Sequence, residues 1–324
     1  MKAIVRDRYG SPDVLELRDI DVPEVDDDQV LVRVRAASAN MADADYMRGR
    51  PRIARIGTGF LKPRNRRLGL DVAGIVERVG GRVTSLHPGD EVWADMTEHG
   101  YGAFAEYVCA PEAAFRLKPN GLSFEEAAAV PQAAILALQG LRGGGRDIGP
   151  GDEVLVNGAG GAVGPFAVQM AKSLGAVVTA VDRTEKLDML RSIGADHVID
   201  YTREDFTGNG RRYDRILDMA AFRPIWRYRR SLETHGTYVI VGGSVFTFLL
   251  AVVLWPITSR SRGRRFGMMM WKPFRSGDME TLEKMIDSGQ IVPVIDRRYP
   301  LEQVPDALRY IETGQTIGKV VITV

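Results

Sequence analysis

The chain predicts an α/β protein in which a doubly wound domain with a parallel sheet is inserted into a β-rich region drawn from both chain ends. Three observations carry this expectation. From Asp152 onward, short apolar runs and amphipathic helical runs take turns, as right-handed βαβ units require. One apolar run leads directly into a glycine-rich turn and a helix. The first third instead alternates apolar and polar residues between Gly, Pro and Asp turns, the pattern of half-buried strands.

Strands are expected in "DQVLVRVRAASAN", "DVAGIVERVG" and "GAFAEYVCAP". A helix opens at Ser123, where Glu126 three residues on completes a capping box, and continues through "LSFEEAAAVPQAAILALQGL". Then follow strand "EVLVNGA", helix "PFAVQMAKSLGA", strand "VVTAVD", helix "TEKLDMLRSIGA" and strand "HVID", with "YDRILDMA" and "GTYVIVGG" as later strands. The tail carries the amphipathic helix "METLEKMIDSGQI", then "VIDRRYPLEQVPDALRYIETG" and the strand "GKVVITV". Its texture returns to that of the first third. The expected domains are therefore 1–122 with 273–324, and 123–272 between them.

Composition narrows the function classes. A chain of 324 residues with 45% hydrophobic and 26% charged residues is long and apolar enough for two folded domains. Lys plus Arg (43) and Asp plus Glu (42) nearly cancel, so no overall field draws nucleic acid. One cysteine, Cys109, forms no internal disulfide and points to a reducing cytoplasm. The longest apolar run, 245–257, is shorter than the roughly 20 residues a spanning helix needs and contains Pro256. It precedes the basic cluster 260–265. The stretch reads as a substrate-pocket lid or subunit interface, with peripheral membrane contact through 245–265 as the alternative.

The glycine-rich turn comprises Gly158, Ala159, Gly160, Gly161, Ala162, Val163 and Gly164. Read as A-x-G-x-x-G on Ala159, Gly161 and Gly164, it is a variant dinucleotide fingerprint. Such a turn brings backbone amides against a pyrophosphate at the positive end of a helix, where side chains would block the approach. Asp182 ends the next strand about twenty residues on, where a carboxylate suits the ribose hydroxyls of NAD. Arg183, with Lys186, suits the 2′-phosphate of NADP instead, or else both cations are simply solvated. NADPH is put first and NADH kept as the alternative.

The run "GAGGAVGPFAVQMAKSLGAVVTAV" followed by "LRSIGADHVIDYTREDF" resembles the zinc-free quinone oxidoreductase branch of the medium-chain dehydrogenase/reductase superfamily. "YGSPDVLELRDIDVPEVDDDQVLVRVRAASAN", "LGLDVAGIVERVG", "HPGDEVW", "GAFAEYV", "LSFEEAAAVP" and the C-terminal "VIDRRYPLEQVPDALRYIETGQTIGKVVITV" fit the same branch in order. The resemblance implies a Rossmann domain inserted into a GroES-like β-rich catalytic domain, and a homodimer joined through an edge strand, here "RRFGMMMW". It further implies cofactor contacts from Tyr201 and, at later strand ends, from Ala220, Gly242, Gly243 and Ser244. Asp218 reads as a strand-end structural residue.

Zinc-dependent relatives carry a Cys near the positions of Ala39 and Asn40, and a His-Glu pair where this chain has Leu70 and Asp71. Leu70 ligates nothing, and His87, His99, His197 and His235 are scattered without ligand spacing, so no zinc is expected. Without a Lewis acid to hold an alkoxide, reduction of a polarised acceptor is the expected reaction: hydride transfer to a quinone or an α,β-unsaturated carbonyl. In "SANMADADYMRG", Asn40 and Asp43 match the family's Asn-Pro-x-Asp while Met41 replaces the proline. Asn40, Asp43 and Tyr46 are the candidate catalytic residues, with Tyr46 donating to the acceptor oxygen. A zinc-free alcohol dehydrogenase, an enoyl-thioester reductase and a non-catalytic dinucleotide sensor stay open as alternatives on the same fold.

Overall fold

The computed structural model describes residues 1–143, 146–243, 265–268, 272 and 276–324. The whole apolar run at 245–257 and all of the basic cluster at 260–265 except Arg265 lie outside these residues, as does Ser244. By contacts the chain divides into two compact units, one of Met1–Gln132, Pro273–Ser276 and Pro293–Val324, the other of Ala133–Lys272 and Gly277–Val292. The first unit thus extends past the expected boundary at 122. The reason is the helix Phe124–Ala128, which opens on the capping box of Ser123 and Glu126 and packs on the β-sheet of the first unit. The segment 277–292 joins the second unit, where Asp278 holds the Gln139 and Arg142 side chains.

In the first unit the strands are β1 (Lys2–Val5), β2 (Glu16–Asp19), β3 (Gln29–Ala39), β4 (Asp71–Val79), β5 (Glu91–Asp95), β6 (Tyr107–Pro111) and β7 (Arg116–Leu117). In the second they are β8 (Glu153–Asn157), β9 (Val177–Asp182), β10 (His197–Asp200), β11 (Tyr213–Asp218), β12 (Leu232–Ile240) and β13 (Arg265–Met268). The chain then returns to the first unit for β14 (Ile295–Pro300) and β15 (Lys319–Thr323).

The large sheet of the first unit runs β14-β15-β3-β4-β5-β7, with β6 added to β3. Its organising strand is β3, eleven residues long and buried at nearly every second position and throughout its end. The alternating Val30, Val32 and Val34 face a core shared with Phe104, Val108 and Leu308. Register decides what meets at the end of β3: Ser38 lies opposite Asp71, Ala39 opposite Val320, and Asp71 opposite Asp95. Three charged or polar positions, Ser38, Asp71 and Asp95, from three distant stretches of chain are thereby brought to one place, next to the strand that carries Lys319.

The second unit is a six-stranded, all-parallel sheet in the order β10-β9-β8-β11-β12-β13. Counted from β8 this is the order 3-2-1-4-5-6 of doubly wound dinucleotide-binding domains, whose ligands bind outside the carboxyl ends where the order reverses. That switch point lies between β8 and β11. Its floor is a buried pair, Asn157 Nδ2 donating to Asp218 Oδ1 at 2.7 Å. Asp218 also accepts from the Tyr238 hydroxyl at 2.7 Å and the Ala220 amide at 3.1 Å, which fits its reading as a structural residue. Burial holds its carboxyl above the usual carboxylate range. Among the described residues no helix is long and apolar enough to cross a membrane.

Candidate functional site

The dinucleotide turn follows β8. Gly158 takes φ 74°, a conformation side chains resist, and its amide and that of Ala159 donate to the Val181 carbonyl at 3.0 and 3.1 Å. Gly164 opens the helix Gly164–Ser173, and a Cβ there would meet the Ala159 carbonyl oxygen at 2.1 Å. No side chain fits. Gly161 is different, because its nearest neighbour would be 3.6 Å away. The fold does not require glycine at 161, whereas close approach of a diphosphate does. Gly161, Ala162 and Val163 are half-exposed, so this is the open face of the turn.

The acid at the end of β9 behaves differently from the sequence expectation. Asp182 is buried, and its Oδ2 accepts from the Gly160 amide at 2.8 Å while Oδ1 accepts from the Arg183 amide at 2.9 Å. Lys186 turns inward against it, Nζ to Oδ1 at 3.5 Å, and is itself buried. A Cβ on Gly160 would strike the Lys186 stem at 2.5 Å. Asp182 thus ties the turn to β9, with its charge neutralised from within. Lys186, whose sequence position suggested a ribose phosphate, is here a partner of that carboxylate. Arg183 is the cation left facing out, and its Nη2 donates to the Tyr201 hydroxyl at 3.2 Å. Tyr201 is 40% exposed. Ala220, Gly242 and Gly243 are half-buried or exposed just beyond the ends of β11 and β12.

The candidate catalytic segment lies in the first unit, on the helix Met41–Arg48. Asn40 precedes that helix, and its amide N–H donates to Asp43 Oδ2 at 2.9 Å. Asp43 is fully buried and also accepts from the Gly69 amide at 3.1 Å. Burial, with the Asp71 charge adding to it against the pull of the Asn40 amide, pushes its carboxyl up to about 7. Behind it lies an interior charge network. Lys319 Nζ donates to Asn40 Oδ1 at 2.6 Å and to Asp71 Oδ2 at 3.0 Å. Asp71 further accepts from Ser38 at 2.8 Å, from Asn40 Nδ2 at 3.0 Å and from the Gln132 amide at 3.0 Å. Asp95 stands beside it with Oδ2 unpartnered among the described residues, held above the usual range first by burial and then by the Asp71 charge. Asn40 and Asp43, expected to act at the substrate, are buried in this network, where they fix the start of the helix.

Tyr46 is the member of the set that keeps some exposure. Its ring stands 4.8 Å from that of Tyr101, tilted by 50°. Burial, and after it the neighbouring Tyr46, hold the Tyr101 hydroxyl above the ordinary tyrosine range, so it stays protonated at neutral pH. Tyr101 adopts φ 59°, a strained conformation for a bulky side chain. Beneath the pair, buried Arg6 donates to the Tyr46 carbonyl. Sequence reasoning missed Tyr101 and Lys319. Tyr101 lies in no quoted motif, whereas Lys319 lies in the C-terminal run, where a lysine ahead of the apolar "VVI" was a visible signal.

The description "Alcohol dehydrogenase GroES-like domain" matches residues 26–120, and "Zinc-binding dehydrogenase" matches 193–322. A 2-methylene-furan-3-one reductase of Solanum lycopersicum is 36% identical, the match covering 99% of this chain and 79% of the relative. The chain belongs to the medium-chain dehydrogenase/reductase superfamily, in its quinone oxidoreductase-like branch. An NADPH-dependent alkenal/one oxidoreductase of Arabidopsis thaliana, chloroplastic, is likewise 36% identical, with 99% of this chain and 79% of that protein covered. Among solved structures, the quinone oxidoreductase from Coxiella burnetii superposes with a TM-score of 0.88 at 30% identity, over 100% of this chain and 99% of that one. The Rossmann and GroES-like assignment stands on these likenesses together with the strand order.

Proposed function

We propose that this NAD(P)H-dependent oxidoreductase of quinones and enones takes its hydride from NADPH, works without zinc, and uses the Tyr46 hydroxyl as hydrogen-bond and proton donor to the acceptor's carbonyl oxygen. The observation that carries the chemistry is the half-exposed Tyr46 standing against the Tyr101 ring. When bound, the nicotinamide supplies the hydride, and reduction adds that hydride and one proton across the acceptor. Tyr46 stabilises the negative charge developing on the acceptor oxygen. Solvent water returns the proton that Tyr46 gives up, and Tyr101, standing against the Tyr46 ring, holds that ring in place. Buried Asn40 and Asp43 are positioning residues that hold the helix carrying Tyr46.

The donor set argues against a resident zinc ion. Catalytic zinc takes thiolate, imidazole or carboxylate ligands. The corresponding positions here hold an amide, a leucine and a carboxylate already paired with the Lys319 ammonium. The preference for NADPH rests on Arg183, which faces out and is steadied by Tyr201 while Lys186 neutralises Asp182 inside. A homodimer is supported by β13, the last strand on its side of the six-stranded sheet among the described residues. The single free cysteine, Cys109, supports a reducing compartment, the cytoplasm.

The test is NADPH oxidation with an enone and with a quinone by the wild type, Tyr46→Phe and Tyr101→Phe, each first titrated with NADPH. The expected result is unchanged cofactor affinity with kcat lowered about a hundredfold or more in Tyr46→Phe and less in Tyr101→Phe. Full turnover in Tyr46→Phe removes Tyr46 from the reaction. Arg183→Ala should weaken NADPH about tenfold or more and leave NADH nearly unchanged; equal effects on both would overturn the cofactor assignment.

A further inference from the structure

The segment between Met47 and Leu70 contains seven arginines, one lysine and no carboxylate, in a chain whose overall charge is +1. The same segment exposes four large apolar side chains, Ile53 at 73%, Ile56 at 69%, Phe60 at 74% and Leu61 at 87%. No others so exposed fall this close together among the described residues. Exposed apolar patches of this kind mark contact surfaces.

The exposure is built into the loop. A short 3₁₀ turn, Arg52–Ala54, runs into the single-turn helix Arg55–Thr58, and Ile53 and Ile56 are three residues apart on it. The base is pinned: the Tyr9 hydroxyl donates to the Gly59 carbonyl at 2.8 Å, and the Arg64 amide donates to the Thr58 carbonyl at 2.8 Å. Gly59 and Pro63 are buried, so Phe60 and Leu61 form the outward turn between them.

Some of the cations are occupied. Arg48 pairs with Glu312, Arg66 pairs with Asp7, and Arg55 lies over the Tyr9 ring at 4.5 Å. Arg50, Arg52, Lys62, Arg64 and Arg67 have no carboxylate within ion-pair distance among the described residues. Arg64 joins the apolar turn to a neighbouring hollow. Its Nη1 donates to the Gly57 carbonyl at 3.3 Å, and it lines a cavity of about 260 Å³ together with Arg18, Asn65, Arg66 and Arg67. Four arginines against the carboxylates of Asp7 and Glu16 leave that hollow net positive.

We propose that residues 50–67 are a docking surface for an anionic lipid bilayer, with Ile53, Ile56, Phe60 and Leu61 entering the interface and Arg52, Lys62 and Arg64 meeting headgroup phosphates. Apolar side chains ringed by cations, with no carboxylate in the segment, complement a negatively charged interface. A second copy of this chain would bring the same positive segment against itself. The inference stands apart from the catalytic reading, because none of these residues belongs to the Tyr46–Tyr101 pair or the dinucleotide turn.

The experiment is cosedimentation of the full chain with vesicles of phosphatidylcholine containing about three parts in ten phosphatidylserine, against phosphatidylcholine alone. The wild type is compared with Phe60→Ser/Leu61→Ser and with Arg52→Glu/Lys62→Glu. Leu117→Ser, at an exposed apolar residue outside the segment, serves as control. The expected result is binding to the anionic vesicles alone, weakened by added salt and lowered about tenfold or more in each double variant, with NADPH oxidation and the thermal midpoint unchanged. Should the serine variant lose stability, the charge-reversal variant decides. Three results overturn the proposal: no binding at moderate salt, equal binding to both vesicle types, or a wild-type dimer in sedimentation velocity that the serine variant dissociates.

Discussion

Replacing Lys319 with methionine probes the buried network at the end of β3. Lys319 is 1% exposed, and its ammonium reaches Asn40 Oδ1 at 2.6 Å and Asp71 Oδ2 at 3.0 Å. Lys319→Met leaves the Asp71 carboxylate in the interior with three neutral donors, from Ser38, Asn40 and Gln132. Removing one partner of a buried ion pair costs about 3–5 kcal/mol, and the three remaining donors place this case near 3. At roughly 2–4 °C per kcal/mol for a domain of this size, the first unfolding transition should fall by about 6–12 °C. The assay is thermal and urea unfolding of Lys319→Met beside the double variant Lys319→Met/Asp71→Asn. Neutralising the stranded carboxylate should return at least about 1 kcal/mol, because the larger part of the loss is an unpaired charge. A single variant within about 1 kcal/mol of wild type, or a double variant no better than the single, would refute the ion-pair argument.

Two further outcomes follow from the same geometry. Gly161→Ala should keep the wild-type midpoint while weakening NADPH about tenfold or more, since a Cβ there is free of the fold but not of a diphosphate. Gly164→Ala should cost about 3 kcal/mol by collision with the Ala159 carbonyl; equal stabilities would refute the division of roles between the two glycines. Asp43, pushed up to about 7, and Asp95, also raised, bind protons in the folded state that the unfolded chain has released. Stability should therefore be greatest below about pH 4 as far as these groups decide it, and should decline as pH rises toward 7, by up to about 1.4 kcal/mol per pH unit for each group. Asp95→Asn should flatten that decline, measured as the urea midpoint against pH; an unchanged slope would show that Asp95 is ionised throughout.

What the sequence revealed and what it withheld divide along contact distance. The Ser123 capping box, the Gly158–Gly164 turn and the alternation from Asp152 onward are local signals, and each is found where it was expected. Spacing likewise located Asp182 and Arg183, but not which way the charges face, because Lys186 reaches back to Asp182 only once the helix after β9 is formed. Asn40 and Asp43 were found by motif and misjudged in role. Their partner Lys319 arrives 279 residues after Asn40, through the β3–β15 register. Tyr101 was invisible for a related reason, since a tyrosine between two glycines gives no local sign that its ring will stand against Tyr46.

Hydride delivery to an electron-poor acceptor can be followed by isotopic label. NADPH deuterated at the transferring C4 position is incubated with the purified protein and an enone, and the product is read by mass spectrometry and NMR. The expected result is one deuterium at the β-carbon of a saturated ketone, one NADPH consumed per product, and loss of this product in Tyr46→Phe. Cofactor oxidation without a labelled product, or deuterium at the carbonyl carbon of an allylic alcohol, would contradict it.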